Sequence, residues 1–378
     1  MKRGMNEEPD MFQQVGDVTA NVVKDAAEKA DIVYHEPGIY FDLDAEEYHL
    51  DKALGSSSIK AISQDAYEYQ FDKLYGEDLD TDALRFGSAL HCRILESREA
   101  LEAQFCHEFD KSLVKDALDT IPDLKAWLEA KGVKGLSGKK KDDLIALVRE
   151  IDPEQPIAAV IKAKWDAENE GKVMLPPKRW AQIETAARWL QRDPLLSAVM
   201  TDGTFNAGAP EVSVFYEDRG VRLKARFDRL LRHAIIDVKS FAPWFSGNLE
   251  GAAIKVIERM RYDIQAADYV RAWHKAKELF LEGRVFGEQP YPTFLEECFD
   301  RDEPSWIWIM VKSKGAPQPL VVDWKAKFAM RAAMDKVERA IDDYIRLRDE
   351  FGEENEWPPM RPALTLEDQD LPSYFGQN

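Results

Sequence analysis

At 378 residues, with 45% apolar residues and ten tryptophans, the chain can bury a large core and hold two or three domains. No apolar run approaches the ~20 residues of a membrane-spanning helix, and Met1–Glu8 carries charges with no apolar stretch behind them, so neither a membrane span nor a signal peptide is expected. Cys92, Cys106 and Cys298 are too few and too scattered for a disulfide framework or a zinc site, which implies a reducing, cytoplasmic setting. The net charge of −19 disfavours a broadly nucleic-acid-binding surface and requires that basic residues, where they matter, be concentrated.

Residues 1–33 are polar, with few core-forming side chains, and read as a mobile arm or a loosely held helix. Residues 34–115 read as turns and helices. One helix is expected from Thr81, a suitable cap, to Glu96, with Gly87 permitting a close approach. Residues 116–152 look like an insertion: a short amphipathic helix over Ile121–Glu129, a turn with Gly132, Gly135 and Gly138, and a second helix over Lys139–Val148. Lys131, Lys134, Lys139, Lys140 and Lys141 follow one another there with no intervening acid, a local reversal of the chain's sign. Such a run is commonly a solvated loop; otherwise it binds phosphates. Pro153 and Pro156 mark the boundary to a body at 153–352, and residues 157–200 read as helical.

Strands are expected near 211–217, 221–228 and 234–239, where polar and apolar residues alternate. A loop through Pro243 and Gly247 follows, then a long helix over about 251–282, a strand over 306–312 and an amphipathic helix over 324–350. The tail, 353–378, holds four prolines and is expected to pack on the surface.

The chemistry concentrates in the middle strands. Residues two apart in a strand share a face, so Asp237 and Lys239 point the same way. A short connection from Arg229 to His233 makes the two strands a hairpin, with Asp228 ending the first and Asp237 inside the second. Two carboxylates form a hard oxygen site for a divalent cation. A neighbouring lysine can orient water against a phosphorus centre, as metal-assisted phosphodiester hydrolysis requires. An Asp inside Ile235-Ile236-Asp237-Val238-Lys239 is disfavoured by strand propensity and needs a reason. Gln265 and Tyr269, four apart, share a helix face; beside the carboxylates Gln265 could orient the lysine or water, and Tyr269 a phosphate oxygen. Arg222, Lys224 and Arg226 share a strand face with Asp228 and form either a solvated face or a phosphate track. Trp244 and Phe245 could wedge between bases, but packing is the commoner use.

This order, Asp228, a hairpin, Asp237-x-Lys239, then Gln265-x-x-x-Tyr269, resembles the PD-(D/E)xK nuclease superfamily. Within it, the chain is most similar to the RecE-type exonucleases (exonuclease eight) of prophages and their RecB-type relatives. Phe86–Cys92 resembles that group's Gly-x-x-x-His helix, Glu211–Tyr216 its Glu-bearing first strand, and Tyr48–Phe71 its lead-in. The likeness spans roughly Ile39–Lys275. Phe227 stands where the superfamily is named for a proline. Residues 116–152 resemble the SAP-type DNA-binding motif.

The resemblance implies an α/β, restriction-endonuclease-like core with a central mixed sheet flanked by helices. It implies Mg²⁺, with Mn²⁺ as a substitute, held by His91, Asp228, Asp237 and the Val238 carbonyl. Glu211 would complete a second metal site or pair with a nearby base. The implied activity is end-dependent digestion of the 5′-ended strand of linear duplex DNA, leaving a 3′ overhang for a strand-annealing partner. A homo-oligomer and a phage or prophage origin in a bacterial cytoplasm are implied as well. A structure-specific endonuclease, or a DNA-binding recombination accessory with a vestigial site, would fit the same sequence.

Overall fold

The computed structural model describes residues 33–76, 81–110, 114, 116–193, 205–243, 247–359 and 363–371. The expected arm, apart from Val33, lies outside the described residues, as do Trp244, Phe245, Pro362 and the run from Pro372 to Phe375.

The described chain opens with β1 (Gly38–Tyr40), α1 (Ala45–Leu50), α2 (Ser56–Gln64) and α3 (Ala66–Tyr75). Helix α4 (Asp82–His91) starts at Thr81, whose side chain accepts the Leu84 N–H, and runs into a π turn over Cys92–Glu96. Next come α5 (Arg98–Gln104) and β2 (Phe105–His107). Helices α6 (Ile121–Ala130) and α7 (Lys141–Ile151) pack on each other through Leu124, Leu128, Leu136, Leu144 and Val148, a cluster separate from the larger cores. Three elements then lead into the sheet: α8 (Ala158–Glu168), β3 (Val173–Leu175) and α9 (Pro177–Leu190).

The central strands are β4 (Ala209–Asp218), β5 (Val221–Leu231) and β6 (Ala234–Phe241). Helices α10 (Leu249–Arg259) and α11 (Tyr262–Leu281) follow, then β7 (Val285–Phe286) and α12 (Phe294–Phe299). Strands β8 (Ser305–Lys312) and β9 (Pro319–Asp323) and helix α13 (Lys327–Phe351) complete the body. Seven strands form one mixed sheet in the order β7-β1-β4-β5-β6-β8-β9, with β6–β8 and β1–β7 parallel and the other neighbours antiparallel. This is the expected mixed sheet flanked by helices.

Both faces of the sheet are covered. On β6, Ile236 and Val238 join a core with Phe86 and Leu90 of α4 and Ile183 of α9. Ile235 and Phe241 join the opposite core with Trp273 of α11 and Val337 of α13. Strand alternation therefore turns Asp237 and Lys239 toward the α11 side and leaves α4 on the other side. No helix among the described residues is long and apolar enough to cross a membrane.

Four local expectations change. Gly38–Tyr40, expected in a helical region, is a strand between β7 and β4; three residues are too few for alternation to register. Residues 157–200 are not one helical stretch: Gly171 turns at φ 82°, β3 follows, and Pro177 opens α9. The long helix expected over 251–282 is two helices broken at Arg261, which adopts φ 53°, ψ 45°. No glycine or proline marks that corner; the Arg261 guanidinium ties it by donating to both carboxylate oxygens of Asp263, at 3.0 and 2.9 Å. Finally, Asp228 does not end its strand, since β5 continues to Leu231 and leaves Arg232 and His233 as the turn.

Candidate active site

The site forms where two paired strands part. β5 and β6 pair only through Arg229–Ile236, Leu230–Ile235 and Leu231–Ala234. Beyond that point β5 stays with β4, and β6 stays with β8 along its whole length. In the fork so opened, the Asp228 carboxylate replaces the missing strand partner: its Oδ2 accepts the Val238 N–H at 2.7 Å.

The other groups converge from three elements. Lys239 Nζ donates to Asp237 Oδ1 at 2.8 Å, and Gln265 Nε2 on α11 donates to the same oxygen at 3.0 Å. Tyr269, one turn further, is buried with its ring edge-on to Phe227 and Trp306. From the opposite face, His91 at the end of α4 reaches the Val238 carbonyl with Nε2 at 2.7 Å and places Nδ1 3.6 Å from Asp228 Oδ2. A Cβ on Gly87 would lie 3.7 Å from Ser240 Oγ, an ordinary van der Waals contact, so α4 packs against β6 here without requiring a glycine. His91, Asp228, Asp237, Val238, Lys239, Gln265 and Tyr269 are thus brought together.

The electrostatics follow from burial. Desolvation pushes the Asp237 pKa up to about 6, with Lys239 opposing and Asp228 adding to the rise. Asp228 is also raised by burial, against the pull of Lys239 and the Val238 N–H. Burial by itself would lower the Lys239 pKa, but Asp237 and Asp228 outweigh it and hold the lysine above its usual value. The lysine is therefore an ammonium at neutral pH. Burial and then Lys239 press His91 down to about 4, so the imidazole is neutral. A carbonyl can only accept, so its proton sits on Nε2 and its bare Nδ1 faces the Asp228 carboxylate.

Among the described residues, no group of three or more His, Cys, Asp and Glu side chains is arranged to hold a metal ion as it stands. The donor set nevertheless suits a hard divalent cation. Asp237 Oδ2 is buried with no hydrogen-bond partner, and the His91 lone pair faces a carboxylate across a 3.6 Å gap. Electron-rich atoms oriented at one another in a largely buried fork are compensated by a cation or a proton.

Residues 55–279 match the family DUF3799, a PDDEXK-like domain of unknown function. The chain belongs to this family. No curated protein matches it. A solved structure from Eubacterium rectale, an exonuclease by description only, matches over 86% of this chain and 96% of its own, at 15% identity and a TM-score of 0.43.

Glu211 stands opposite Asp228 in the β4–β5 register, between the pairs Pro210–Arg229 and Val212–Phe227. Its φ of 51° is a conformation that strains a residue with a side chain by about 1–3 kcal/mol. Burial, and then Asp228, push its pKa up to about 7, while Arg226 pulls it down. The Arg226 guanidinium lies 3.6 Å from Glu211 Oε2, which is the pairing with a nearby base anticipated as one of its two roles.

The phosphate-track reading of Arg222, Lys224 and Arg226 needs correction, because their cationic heads are used inside the fold. Arg222 binds buried Asp51 at 2.9 Å. Buried Lys224 donates to the carbonyls of Tyr48 and Asp51, at 2.6 and 2.5 Å. Arg226 donates to Ser213 Oγ and the Leu43 and Asp44 carbonyls. Together they pin residues 43–51 onto β5; period-two spacing set their face but could not reveal that a chain segment covers it. In the insertion, Lys131, Lys134 and Lys140 are exposed and Lys139 and Lys141 half-buried. Lys131 lies over the Trp127 ring, and Lys141 is 3.9 Å from Asp119. Two residues that the motifs did not indicate, Lys60 of α2 and Tyr262 of α11, also stand at the site.

Proposed function

We propose that the protein is a Mg²⁺-dependent deoxyribonuclease, with Mn²⁺ as a substitute, that degrades linear duplex DNA from an end. The observation carrying this reading is the fork itself: two buried carboxylates, one with an unpartnered oxygen, joined by a charged lysine in a PDDEXK-like chain. Asp228, Asp237, His91 through Nδ1 and the Val238 carbonyl would hold the cation, the last once His91 Nε2 releases it. The bound cation would polarise the scissile phosphate and lower the pKa of the attacking water. Lys239 would orient that water and offset charge developing on the phosphate. Gln265 would fix Asp237, Tyr269 would close the floor of the fork, and Glu211 would exchange Arg226 for a second cation when one binds.

In this reading the enzyme resembles the RecE type: it acts on the 5′-ended strand and leaves a 3′ overhang for a single-strand annealing protein, in the cytoplasm of a bacterium carrying the phage or prophage. A homo-oligomer enclosing the duplex would suit processive action. Residues 116–152, whose hydrophobic cluster is separate from the larger cores and also takes in Ile157 and Val160, would act as a SAP-like module binding backbone phosphates without reading sequence. That separately cored insertion also supports a second reading, a structure-specific endonuclease targeted to branched or single-stranded DNA.

End-labelled linear duplex, incubated with Mg²⁺ or EDTA beside closed circular DNA, tests the proposal. Release of mononucleotides from the linear substrate alone supports it. Nicking of the closed circle selects the endonuclease, and inert DNA with both Mg²⁺ and Mn²⁺ overturns both, leaving the accessory role.

A further inference from the structure

We propose that Lys60 is a substrate-binding residue of this site, holding the backbone phosphate next to the one that is cut; the inference rests on the nuclease reading above. Lys60 projects from α2, whose Ile59 and Ile62 are buried in the main core. Its Nζ lies 5.7 Å from the centroid of the Tyr262 ring, and Lys239 Nζ lies 5.3 Å from the same centroid. One ring thus carries two ammonium groups, a favourable cation–π arrangement for each taken singly.

The two lysines differ in what neutralises them. Lys239 is paired with Asp237 at 2.8 Å. Lys60 is half-buried, and among the described residues no carboxylate lies within ion-pair distance of it. In a chain with 70 acidic and 51 basic residues, most bases near the surface can find an acid. Leaving this one without a partner, beside a second ammonium, costs free energy that an arriving anion would recover. Burial, and then Lys239, lower the Lys60 pKa, and Asp237 partly restores it, which places all three groups in one field. A purely structural lysine would gain from placing its head on a carbonyl, and among the described residues Lys60 Nζ has no such hydrogen bond. The anion that the site offers is phosphate. The two ammonium groups are no farther apart than the sum of their distances to the shared centroid, 5.7 and 5.3 Å, which is within reach of neighbouring phosphates of one strand; Lys60 would then meet a neighbour of the scissile group.

The test uses the full chain and a fluorescent linear duplex, with binding followed across salt in EDTA for the parent, Lys60→Gln, Lys60→Arg and Lys164→Gln. Lys164 is exposed and sits 3.6 Å from Glu168 on α8, so it controls for net charge. Lys60→Gln should flatten the slope of log affinity against log salt by about 0.9, one phosphate contact. In Mg²⁺ its KM should rise about tenfold while kcat falls no more than about threefold. Lys60→Arg, which keeps the charge, should recover most of the slope, and this also holds if Lys60→Gln folds poorly, as thermal melting would reveal. A parent-like slope in a folded Lys60→Gln, an equal loss in Lys164→Gln, or a poorly binding Lys60→Arg overturns the assignment of Lys60 alone, provided the parent cleaves DNA. A parent that cleaves nothing overturns the nuclease reading and the role of Lys60 with it.

Discussion

Replacing Asp237 with asparagine should make the protein more stable and, at the same time, inactive. The carboxylate is buried, one of its oxygens has no partner, and its pKa stands at about 6 against an ordinary value of 3.8. The folded value lies above the unfolded one, so ionising Asp237 disfavours the folded state. The penalty is absent below pH 4, grows as pH rises through 6, and is constant above that. At 1.36 kcal/mol per pH unit, the displacement from 3.8 to about 6 corresponds to roughly 3 kcal/mol. Asparagine has a similar shape and no charge, so Asp237→Asn in EDTA at pH 8 should melt roughly 5 °C above the parent. The two curves should converge near pH 4. Adding Mg²⁺ should then reverse the order: a cation at a hundred times its Kd stabilises the parent by about 2.7 kcal/mol, and the variant should respond little. The assay is a set of thermal melts over pH 4–8, with and without Mg²⁺, beside digestion of linear DNA. An Asp237→Asn protein no more stable than the parent in EDTA at pH 8 would refute the account of a desolvated carboxylate. One that still digests DNA within about tenfold of the parent would remove Asp237 from the chemistry.

Further outcomes follow from the same contacts. Lys239→Arg keeps the charge beside Asp237 but replaces a compact ammonium with a planar fork, so cation-dependent stabilisation should persist while cleavage falls by about a hundredfold or more; near-normal turnover would reduce Lys239 to a generic charge. Asp268, buried on α11 with Oδ1 unpartnered, has a pKa pushed up to about 7 by burial, with Arg271 opposing and Glu338 adding. Asp268→Asn should therefore gain up to about 4 kcal/mol above pH 7 and nothing below pH 4, without losing the Mg²⁺ response; urea unfolding at pH 4 and 8 checks this, and equal stabilities at pH 8 would contradict it. If three of the five insertion lysines touch phosphates, changing Lys131, Lys134, Lys139, Lys140 and Lys141 to glutamine should flatten the salt dependence of binding by about 2 to 3. Superimposable slopes in EDTA would make the insertion a solvated surface element.

Much of the site was legible because its residues are anomalies against local rules. An aspartate inside Ile235-Ile236-Asp237-Val238-Lys239 violates strand propensity, and its partner two residues on is fixed to the same face by the pleat. Gln265 lies within a helix turn of Tyr269, and the helix carrying both was visible as a period. What escaped was whatever depends on neighbours distant in sequence. Arg222, Lys224 and Arg226 lie on one strand face as read, but only the packed chain shows residues 43–51 covering that face and taking up their charges. Lys60 sits on an ordinary amphipathic helix 179 residues before Lys239, and nothing local sets it apart. The break at Arg261 escaped because its left-handed corner is held by a side-chain fork onto Asp263 rather than by glycine.

The sequence by itself determined the strands that carry Asp228 and Asp237, the shared face of Asp237 and Lys239 and the helix carrying Gln265, because each follows from periodicity and from residues two to four apart; the nuclease-like fold class came from the resemblance of the ordered motifs to a known family. Tertiary structure decided that β5 and β6 part just beyond Arg229–Ile236, so that Asp228 caps the Val238 N–H and an Asp237 oxygen is left without a partner. It also decided that α4 delivers His91 from the far face of the sheet to the carbonyl of the same residue, Val238. The reason is that strand divergence is set by β4 and β8, which claim β5 and β6 from opposite sides. Competition among strands distant in the chain has no local signature in it.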